Sequence, residues 1–239
     1  MKRKEEPIGY RVGFSNFLNC KIDLSLKPMI PRKETEFWVK KAIRQIRQEK
    51  LKTHKLNILD IFAGSGCIGI AILKHIKTAR VDFAEIDKNF IKQIKINLKL
   101  NKINPACPEC SRGKRYRVIQ SDVFENIKKR PAPPWAGYDF IFANPPYIAL
   151  KNKHLVQNSV YDFEPHKALF GGQDGFLYIR KFLKQARKHL NPNGQIWMEF
   201  DYLQKRGLED LLKELNYENY RIYKDQFQKW RYIKIFDRI

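Results

Sequence analysis

The segment Leu56-Asn-Ile-Leu-Asp-Ile-Phe-Ala-Gly-Ser-Gly-Cys-Ile-Gly69 decides which fold this chain can adopt. Its first half, Leu56–Phe62, is apolar enough to predict a buried strand. The second half carries the pattern G-x-G-x-x-G at Gly64, Gly66 and Gly69, in which glycine lets the backbone approach a ligand before a helix begins. Taken alone, this pattern fits a dinucleotide, S-adenosylmethionine or only a tight strand-to-helix turn.

Strand and helix patterns alternate along most of the remaining chain. An amphipathic helix is predicted at Glu34–Gln48, and Asn191-Pro-Asn-Gly194 predicts a helix stop and a turn. Further strands are predicted at Val81–Ile86, Tyr116–Ser121, Tyr138–Ala143, Gln195–Phe200, Tyr220–Tyr223 and Trp230–Phe236, and further helices at Ile68–Ile76, Asn89–Leu100, Phe176–Leu190 and Leu203–Leu215. This alternation is typical of an α/β fold with an open, mostly parallel seven-stranded sheet, helices on both faces and an antiparallel C-terminal hairpin.

The first thirty residues have a different pattern. Residues 9–30 alternate apolar and polar side chains with turn formers between them, which predicts a small β-hairpin. We therefore expect an N-terminal hairpin and linker at residues 1–33 and one large domain at residues 34–239. No apolar run of the signal-peptide kind follows the basic N-terminus, and the mostly apolar stretch Ile61–Leu73 is too short to span a bilayer. We expect a cytoplasmic protein without membrane contact.

The charge of the chain is strongly positive. Its 47 Lys and Arg residues exceed its 25 Asp and Glu residues and give a formal net charge of +22. A field of this sign favours anionic partners such as RNA or a ribonucleoprotein. The lysines are scattered along the sequence, however, so a solvated lysine-rich surface explains them equally well.

The four cysteines do not indicate a metal site. A reducing compartment makes disulfides uncommon. Cys107-Pro-Glu-Cys110 is a single C-x-x-C without the second pair that would complete four zinc ligands. We interpret it as a turn in a surface loop and predict no metal.

Acidic residues follow the second and third strands of the predicted sheet. Glu85 lies about twenty residues after the glycines, where a carboxylate accepts both ribose hydroxyls of an adenosine cofactor. Asp122 follows the third strand and can accept a hydrogen bond from an adenine amino group, while Val123 packs on the ring. Together these positions favour an adenosine cofactor, and they leave NAD and S-adenosylmethionine both open.

The fourth strand distinguishes between the two cofactors, because it ends in Asn144-Pro-Pro-Tyr147. Pro145 holds Asn144 in an extended conformation, so the Asn144 side-chain oxygen and the Pro145 carbonyl can both accept hydrogen bonds from one planar –NH₂ group. Holding both N–H bonds turns the nitrogen lone pair toward an electrophile. Tyr147 adds an aromatic wall that can stack on the planar group and lie near a sulfonium. Hydride transfer needs no such clamp, so the pattern favours methyl transfer from S-adenosylmethionine.

With these motifs the chain resembles the Rossmann-like class I S-adenosylmethionine-dependent methyltransferases. More narrowly, it resembles the protein-(glutamine-N5) methyltransferases of the HemK/PrmC family, which modify the Gly-Gly-Gln loop of peptide-chain release factors. The motifs that carry this resemblance are Ile30-Pro-Arg-Lys-Glu-Thr-Glu36, Asp60–Gly69, Glu85, Ser121-Asp122, Asn144-Pro-Pro-Tyr147, Phe163-Glu-Pro165 with Ala168-Leu169, Gly171-Gly-Gln-Asp-Gly175 and Glu199.

The resemblance implies a role for each motif. The methionine part of the cofactor would be lined by Phe62, Ala63, Gly64, Ser65 and Gly66, the ribose held by Glu85, and the adenine flanked by Asp122 and Val123. The glutamine amide would be bound by Asn144, Pro145, Pro146 and Tyr147, with Asn144 also beside the cofactor, Glu164 beside the substrate cleft, and Arg32, Thr35 and Glu36 closing one side.

The sequence also departs from the family pattern. Phe62 and Ala63 replace the usual Gly-Thr, which we expect to narrow the methionine pocket, while Glu85 replaces the commoner aspartate and Val123 an aromatic residue. The match begins near Glu6, so the helical domain that bacterial members use to grip the release factor has no counterpart in the printed sequence.

The expected partner is a peptide-chain release factor or another translation protein that carries the target glutamine, such as a ribosomal protein. We expect a monomer whose basic surface makes transient contact with the ribosome or RNA. Two rival functions stay open. One is an amino methyltransferase acting on adenine N6 or guanine N2 in nucleic acid, although such enzymes usually bring additional base-flipping loops or domains. The other is a catalytically silent RNA-binding module, which would not need the Asn144–Tyr147 clamp.

Overall fold

The computed structural model describes residues 5–48, 55–106, 114–128 and 137–236. Its centre is a seven-stranded sheet with the strand order β5-β4-β3-β6-β7-β9-β8. The strands are β3 (Leu56–Ile61), β4 (Ala79–Glu85), β5 (Tyr116–Gln120), β6 (Tyr138–Ala143), β7 (Leu190–Glu199), β8 (Tyr220–Lys224) and β9 (Trp230–Phe236). β3 to β7 run parallel, and β9 pairs antiparallel with both β7 and β8. This arrangement confirms the predicted α/β fold and its antiparallel C-terminal pair.

Helices cover both faces of the sheet. They are α1 (Ile8–Val12), α2 (Lys33–Gln48), α3 (Cys67–His75), α4 (Lys88–Leu100), α5 (Asn158–Phe163), α6 (His166–Leu169), α7 (Leu177–Ala186) and α8 (Lys205–Glu214), with 3₁₀ turns at residues 150–155, 187–189 and 202–204. One apolar core lies between the sheet and α2 to α4, and a second lies between the sheet and α7 and α8. Successive strand residues such as Ile58 and Leu59 belong to different cores, as the pleat requires. No helix within the described ranges is long and apolar enough to cross a membrane.

The predicted N-terminal hairpin is present as β1 (Phe14–Phe17) and β2 (Cys20–Asp23), and it follows the short helix α1, which the alternation did not predict. Buried amides within and just after α4 hold the hairpin. Asn97 Oδ1 accepts from Asp23 N at 2.7 Å, and Asn101 Oδ1 accepts from Lys21 N at 3.1 Å. β2 pairs with β1 along one edge, and these side-chain amides satisfy backbone N–H groups of β2 along its other edge. The domain boundary at residue 33 stays a prediction, while Cys107 and Cys110 lie outside the described residues.

Strand β7 begins several residues earlier than predicted. β7 begins at Leu190, so the residues interpreted as a turn, Asn191 to Gly194, lie inside it. The pairing of β6 with β7 shifts register between Tyr138 and Phe140, as a bulge does. Asn191 explains the extension, because its Oδ1 accepts from Gly137 N at 2.8 Å and its Nδ2 donates to Asp139 Oδ1 at 2.8 Å. These side-chain bonds join the start of β7 to β6 across the irregularity.

The sheet topology brings the predicted site residues together. β3 pairs with β4 on one side and with β6 on the other, so the strand order reverses beside β3. Ile61 pairs with Ala84 and with Ala143, which places the residues that follow these strands at one edge. Open α/β sheets bind ligands at the carboxyl ends of the strands at such a point.

Gly69, the third glycine of the pattern, lies where α3 packs closely on β4. A Cβ at this position would lie 2.8 Å from Cζ of Phe83 and 2.9 Å from Cγ1 of Val81. Phe83 is fully buried, so its ring has little room to move. The absence of a side chain at Gly69 therefore sets the distance between helix and sheet.

We predict that Gly69→Ala lowers the free energy of unfolding by about 1–3 kcal/mol, because the added methyl group overpacks the core. Chemical denaturation measures the change. In the double variant Gly69→Ala/Phe83→Leu the smaller side chain makes room, so its loss should be less than the sum of the two single losses. Strictly additive losses would contradict the contact between Gly69 and Phe83.

Candidate cofactor and substrate site

A cavity of about 600 Å³ opens at the carboxyl edge of β3 to β6. This volume lies within the range of about 300–1,000 Å³ that small-molecule sites occupy. The predicted site residues that line it are Phe62, Ala63, Gly64, Ser65, Glu85, Asp122, Val123, Asn144 and Pro146. Arg32 and Thr35 also line it, whereas Gly66, Pro145, Tyr147 and Glu164 are not among its lining residues. Glu36, expected at one side of the cleft, instead accepts from Leu18 N at 2.8 Å.

The loop after β3 has an unusual backbone. Phe62 has a φ of 60°, and Gly64 and Gly66 have φ values of 54° and 78°. A positive φ is rare for a bulky residue and is typical of functional sites. The Phe62 ring packs edge-on against Tyr178 and Phe182 of α7, with ring centroids 6.1 and 6.2 Å apart. Phe62 therefore forms part of the cavity wall, and the cavity stays open beside it.

Glu85 lies at the end of β4 with both carboxylate oxygens engaged by backbone. Its Oε2 accepts from Gly64 N at 2.8 Å, and its Oε1 accepts from Asp87 N at 2.9 Å. Burial raises the pKa of Glu85, and these backbone hydrogen bonds oppose the rise. The carboxylate is thus fixed at the cavity wall and linked directly to the glycine loop.

Asp122 and Val123 follow β5. Asp122 forms an ion pair with Lys181 of α7, with Nζ 2.6 Å from Oδ2, and sequence analysis missed this pair because nothing near Lys181 indicates a site. Val123 is buried and has a φ of 52°, a strained value for a β-branched residue. Ser121 stabilises this turn, since its hydroxyl donates to the Val123 carbonyl at 2.9 Å and accepts from Asn126 N at 3.0 Å.

Asn144 follows β6, and its Nδ2 donates to Thr35 Oγ1 at 3.4 Å. Three residues further on, the Tyr147 hydroxyl donates to Oε1 of Glu199 at 3.0 Å. Burial raises the pKa of Tyr147 well above its ordinary value, and the negative charge of Glu199 adds to the rise. Tyr147 therefore stays protonated and keeps its hydrogen-bond donor at neutral pH, while its ring packs against the second core.

Glu164 lies behind the cavity lining. Its side chain is fully buried and forms an ion pair of 2.7 Å with Arg32, while its Oε2 accepts from Ile30 N at 3.3 Å. Burial raises the pKa of Glu164, and the Arg32 guanidinium lowers it. These bonds hold the segment before α2 against the segment before α6, and Pro165 and Ala168 next to Glu164 contact the cavity instead.

Comparison with known proteins identifies the class first. Residues 44–162 match the family model described as Methyltransferase small domain. The solved 16S rRNA N2 G1207 methyltransferase of T. thermophilus (RsmC), in complex with AdoMet and guanosine, is similar with a TM-score of 0.61 and 16% identity, over 94% of this chain and 50% of that one. The N-terminal domain of human METTL16 with SAH has a TM-score of 0.60 and 16% identity, over 92% of this chain and 76% of that one. The chain has the Rossmann-like fold of class I S-adenosylmethionine-dependent methyltransferases.

Sequence relatives narrow this class to a family. The release factor glutamine methyltransferase of Lactococcus lactis subsp. lactis (strain IL1403) is 31% identical over 97% of this chain and 78% of its own length. That of Streptococcus pneumoniae (strain ATCC BAA-255 / R6) is 30% identical over 97% of this chain and 75% of its own length. The chain belongs to the family of release factor glutamine methyltransferases, which confirms the resemblance drawn from its motifs.

Asp60 lies at the end of β3, next to the loop Phe62–Gly66, and only one of its two carboxyl oxygens is hydrogen-bonded within the described residues. Its Oδ2 accepts from Gly69 N at 2.8 Å, and no hydrogen bond within the described residues reaches its buried Oδ1. Burial raises the pKa of Asp60 to about 8, the Gly69 N–H opposes this rise, and the negative charge of Glu85 adds to it. A carboxyl group with this pKa holds its proton more tightly in the folded state than in the unfolded state.

We predict that the contribution of Asp60 to stability decreases as the pH rises from about 4, the pKa of an unfolded aspartate, through the folded value of about 8. This contribution is measured by urea unfolding of the wild type and of Asp60→Asn at a series of pH values. The free energy of unfolding of the wild type minus that of the variant should fall across this interval. A difference that does not change with pH would contradict the burial of an ionisable carboxyl group at this position.

Proposed function

We propose that this protein transfers the methyl group of S-adenosylmethionine to the side-chain amide nitrogen of a glutamine in a peptide-chain release factor. The observation that carries the proposal is the placement of Asn144 at the tip of β6, on the wall of a cofactor-sized cavity. The relatives named release factor glutamine methyltransferase support the substrate.

The cavity residues fit the cofactor. Its volume suits an adenosine-containing molecule, and Glu85 presents a fixed carboxylate that can accept from the ribose hydroxyls. We assign the methionine part to the loop Phe62–Gly66, whose positive φ values bring backbone close to the cavity. We assign the adenine to Asp122 and Val123. When bound, the cofactor supplies an electrophilic methyl group on a sulfonium.

The clamp at the end of β6 prepares the amide nitrogen. Pro145 has no N–H and restricts Asn144 to an extended conformation, so the Asn144 Oδ1 and the Pro145 carbonyl are two acceptors that one –NH₂ group can satisfy. Gripping both N–H bonds aligns the lone pair with the methyl carbon and removes the entropic cost of orientation. In the transfer, the bond from nitrogen to the methyl carbon would form as the C–S bond breaks, the thioether would keep that electron pair, and the methylated nitrogen would release one proton to water. Acceleration comes from positioning, without a strongly basic group.

The proposal also includes the cellular location of the protein, its oligomeric state and its contact with RNA. We infer a cytoplasmic monomer, because the proposed substrate is a protein of translation. The net charge of +22 is suited to transient contact with ribosomal RNA while the substrate is bound. The same charge is the observation that favours the rival function, methylation of an exocyclic amino group in nucleic acid.

The function is tested by incubating the protein with S-adenosylmethionine and a release factor. We predict one added methyl group on the Gly-Gly-Gln glutamine, located by mass spectrometry of proteolytic peptides. Asn144→Ala should abolish this product without a change in thermal stability. Asn219→Ala, an exposed asparagine beside the edge strand β8, is the matched control.

Two outcomes would overturn the proposal. One is a methyl group on the glutamine with Asn144→Ala at the wild-type rate, which would remove the clamp from the reaction. The other is labelled methyl from the cofactor in tRNA or rRNA and none in protein, which would establish the nucleic-acid function instead.

Cofactor binding is tested at Glu85. We predict that Glu85→Ala raises the dissociation constant for S-adenosylmethionine about ten- to a hundredfold, since a hydrogen bond to a charged group contributes about 1.5–3 kcal/mol. Isothermal calorimetry measures it, with circular dichroism to confirm folding. Glu209→Ala on α8, where the carboxylate pairs only with Lys205 among the described residues, is the control. Equal affinities for Glu85→Ala and wild type would exclude a ribose contact.

A further inference from the structure

A buried chain of hydrogen bonds leads from Asn144 to the end of β7. Asn144 Nδ2 lies 3.4 Å from Thr35 Oγ1, and the Thr35 hydroxyl lies 2.7 Å from Glu199 Oε2. The same Glu199 oxygen accepts from Trp38 Nε1 at 2.8 Å. Thr35, Trp38 and Glu199 are each at most 2% exposed, so water does not compete for the two bonds that reach Glu199.

The fold places the members of this chain side by side. Ala143 pairs with Met198 in the parallel ladder, so Asn144, just after β6, lies beside Glu199, the last residue of β7. Thr35 lies in the first turn of α2, and Trp38 lies one turn later on the same helix face. The Trp38 ring stacks on Phe142 of β6 with centroids 6.1 Å apart, which fixes α2 over the tip of that strand.

The chemistry of the groups sets the direction of each bond. The indole N–H of Trp38 can only donate, so the Glu199 oxygen that it contacts must be an acceptor. The Thr35 hydroxyl has a single proton, which it gives to this oxygen when Glu199 is ionised. The Thr35 oxygen is left with lone pairs only, and Asn144 must turn its –NH₂ toward them. The orientation of an asparagine amide is decided by such a network.

The orientation of the Asn144 nitrogen also fixes the position of the amide oxygen, Oδ1. With its nitrogen on Thr35, the amide has its Oδ1 on the opposite side, and no hydrogen bond from the described residues engages this oxygen. If the amide were reversed, a donor would replace the acceptor. A donor at this place would repel an incoming –NH₂ group rather than hold it.

We propose that Thr35 and Glu199 are positioning residues that fix the direction of the Asn144 amide, so that its oxygen rather than its nitrogen meets the substrate. This inference rests on the proposed function, because it assigns an orientation to the same clamp. Glu199 serves the clamp a second time by accepting from the Tyr147 hydroxyl, so one carboxylate orients both polar side chains of the motif. In this proposal both residues act through Asn144 and Tyr147, although Thr35 also lines the cavity.

The proposal is tested by removing the hydroxyl group while keeping the shape. In Thr35→Val the packing is preserved and the Asn144 amide loses its partner, so it samples both orientations. We predict that kcat for release-factor methylation falls about ten- to a hundredfold, as loss of orientation at a reacting group does. The dissociation constant for S-adenosylmethionine should change less than about twofold. Thr35→Ser, which keeps the hydroxyl, should restore most of kcat.

A second pair of variants keeps the test valid if Thr35→Val is unstable. Glu199→Leu removes the hydrogen-bond acceptor. In Glu199→Gln, Trp38 can only donate, so the glutamine side chain turns its amide oxygen toward Trp38 and Thr35. We predict that Glu199→Gln recovers most of the kcat that Glu199→Leu loses. Thr78→Val, which precedes β4 at the opposite end of the sheet, is the matched control for a threonine-to-valine change.

The outcomes separate the two proposals. A wild-type protein that does not methylate the glutamine overturns the proposed function. A wild type that methylates it, with Thr35→Val at full kcat, overturns the positioning role alone. A Thr35→Val variant that weakens cofactor binding as much as it lowers kcat also overturns it, because a purely structural residue would affect both quantities. Loss of kcat with unchanged cofactor affinity and rescue by serine supports it.

Discussion

The buried carboxylate of Glu199 is the interaction on which the arrangement of the site depends. It accepts hydrogen bonds from Thr35 and Trp38 of α2 and from Tyr147 after β6. It therefore joins these two segments to the end of β7, on which Glu199 lies. Burying a carboxylate is costly unless its oxygens are hydrogen-bonded. Burial raises the pKa of Glu199, while the donors from Trp38 and Thr35 lower it. Removing one of these donors leaves a buried charge poorly compensated, so the three segments are held together as a unit.

Several costly features occur at the same edge of the sheet. Phe62 and Val123 adopt positive φ angles that glycine would accept more easily, and burial raises the pKa values of Asp60 and Glu85. Backbone strain and buried carboxyl groups of this kind persist only where the surrounding structure enforces them, and they cluster at functional sites. Here the N–H groups of Gly64 and Gly69 hold the carboxyl groups of Glu85 and Asp60, and the Ser121 hydroxyl bonds to the Val123 carbonyl. The sheet and its helices thus stabilise local conformations at the site that the same residues would not adopt in an unfolded chain.

Much of the fold and part of the site could be predicted from local patterns. The apolar strands and the G-x-G-x-x-G turn are periodic over a few residues, and the residue after each parallel strand must lie at the common edge. This reasoning located Glu85, Asp122 and Asn144, which the structure brings to one cavity. It was wrong at the start of β7, where Asn191 extends the strand across a bulge that periodicity does not reveal.

The contacts that sequence reasoning missed are long-range. Thr35 and Glu199 are separated by 164 residues, and Asp122 and Lys181 by 59. The ion pair of Glu164 with Arg32, 132 residues away, was also missed, and the place of Glu164 beside the substrate stays a prediction. No local pattern identifies such partners, because each of these side chains has an ordinary role in its own segment. In its own segment Thr35 is an ordinary polar residue in the first turn of a helix, and only its contact with Glu199 in the folded chain suggests a second role.

The central claim is that the Asn144 oxygen and the Pro145 carbonyl hold the amide nitrogen of a glutamine. A crystal structure of the protein with S-adenosylhomocysteine and a Gly-Gly-Gln peptide tests it most directly. We predict that the glutamine nitrogen lies about 3 Å from both oxygens, with the Asn144 nitrogen still on Thr35. A glutamine bound away from this strand tip, or an Asn144 amide that turns its nitrogen toward the peptide, would contradict the account.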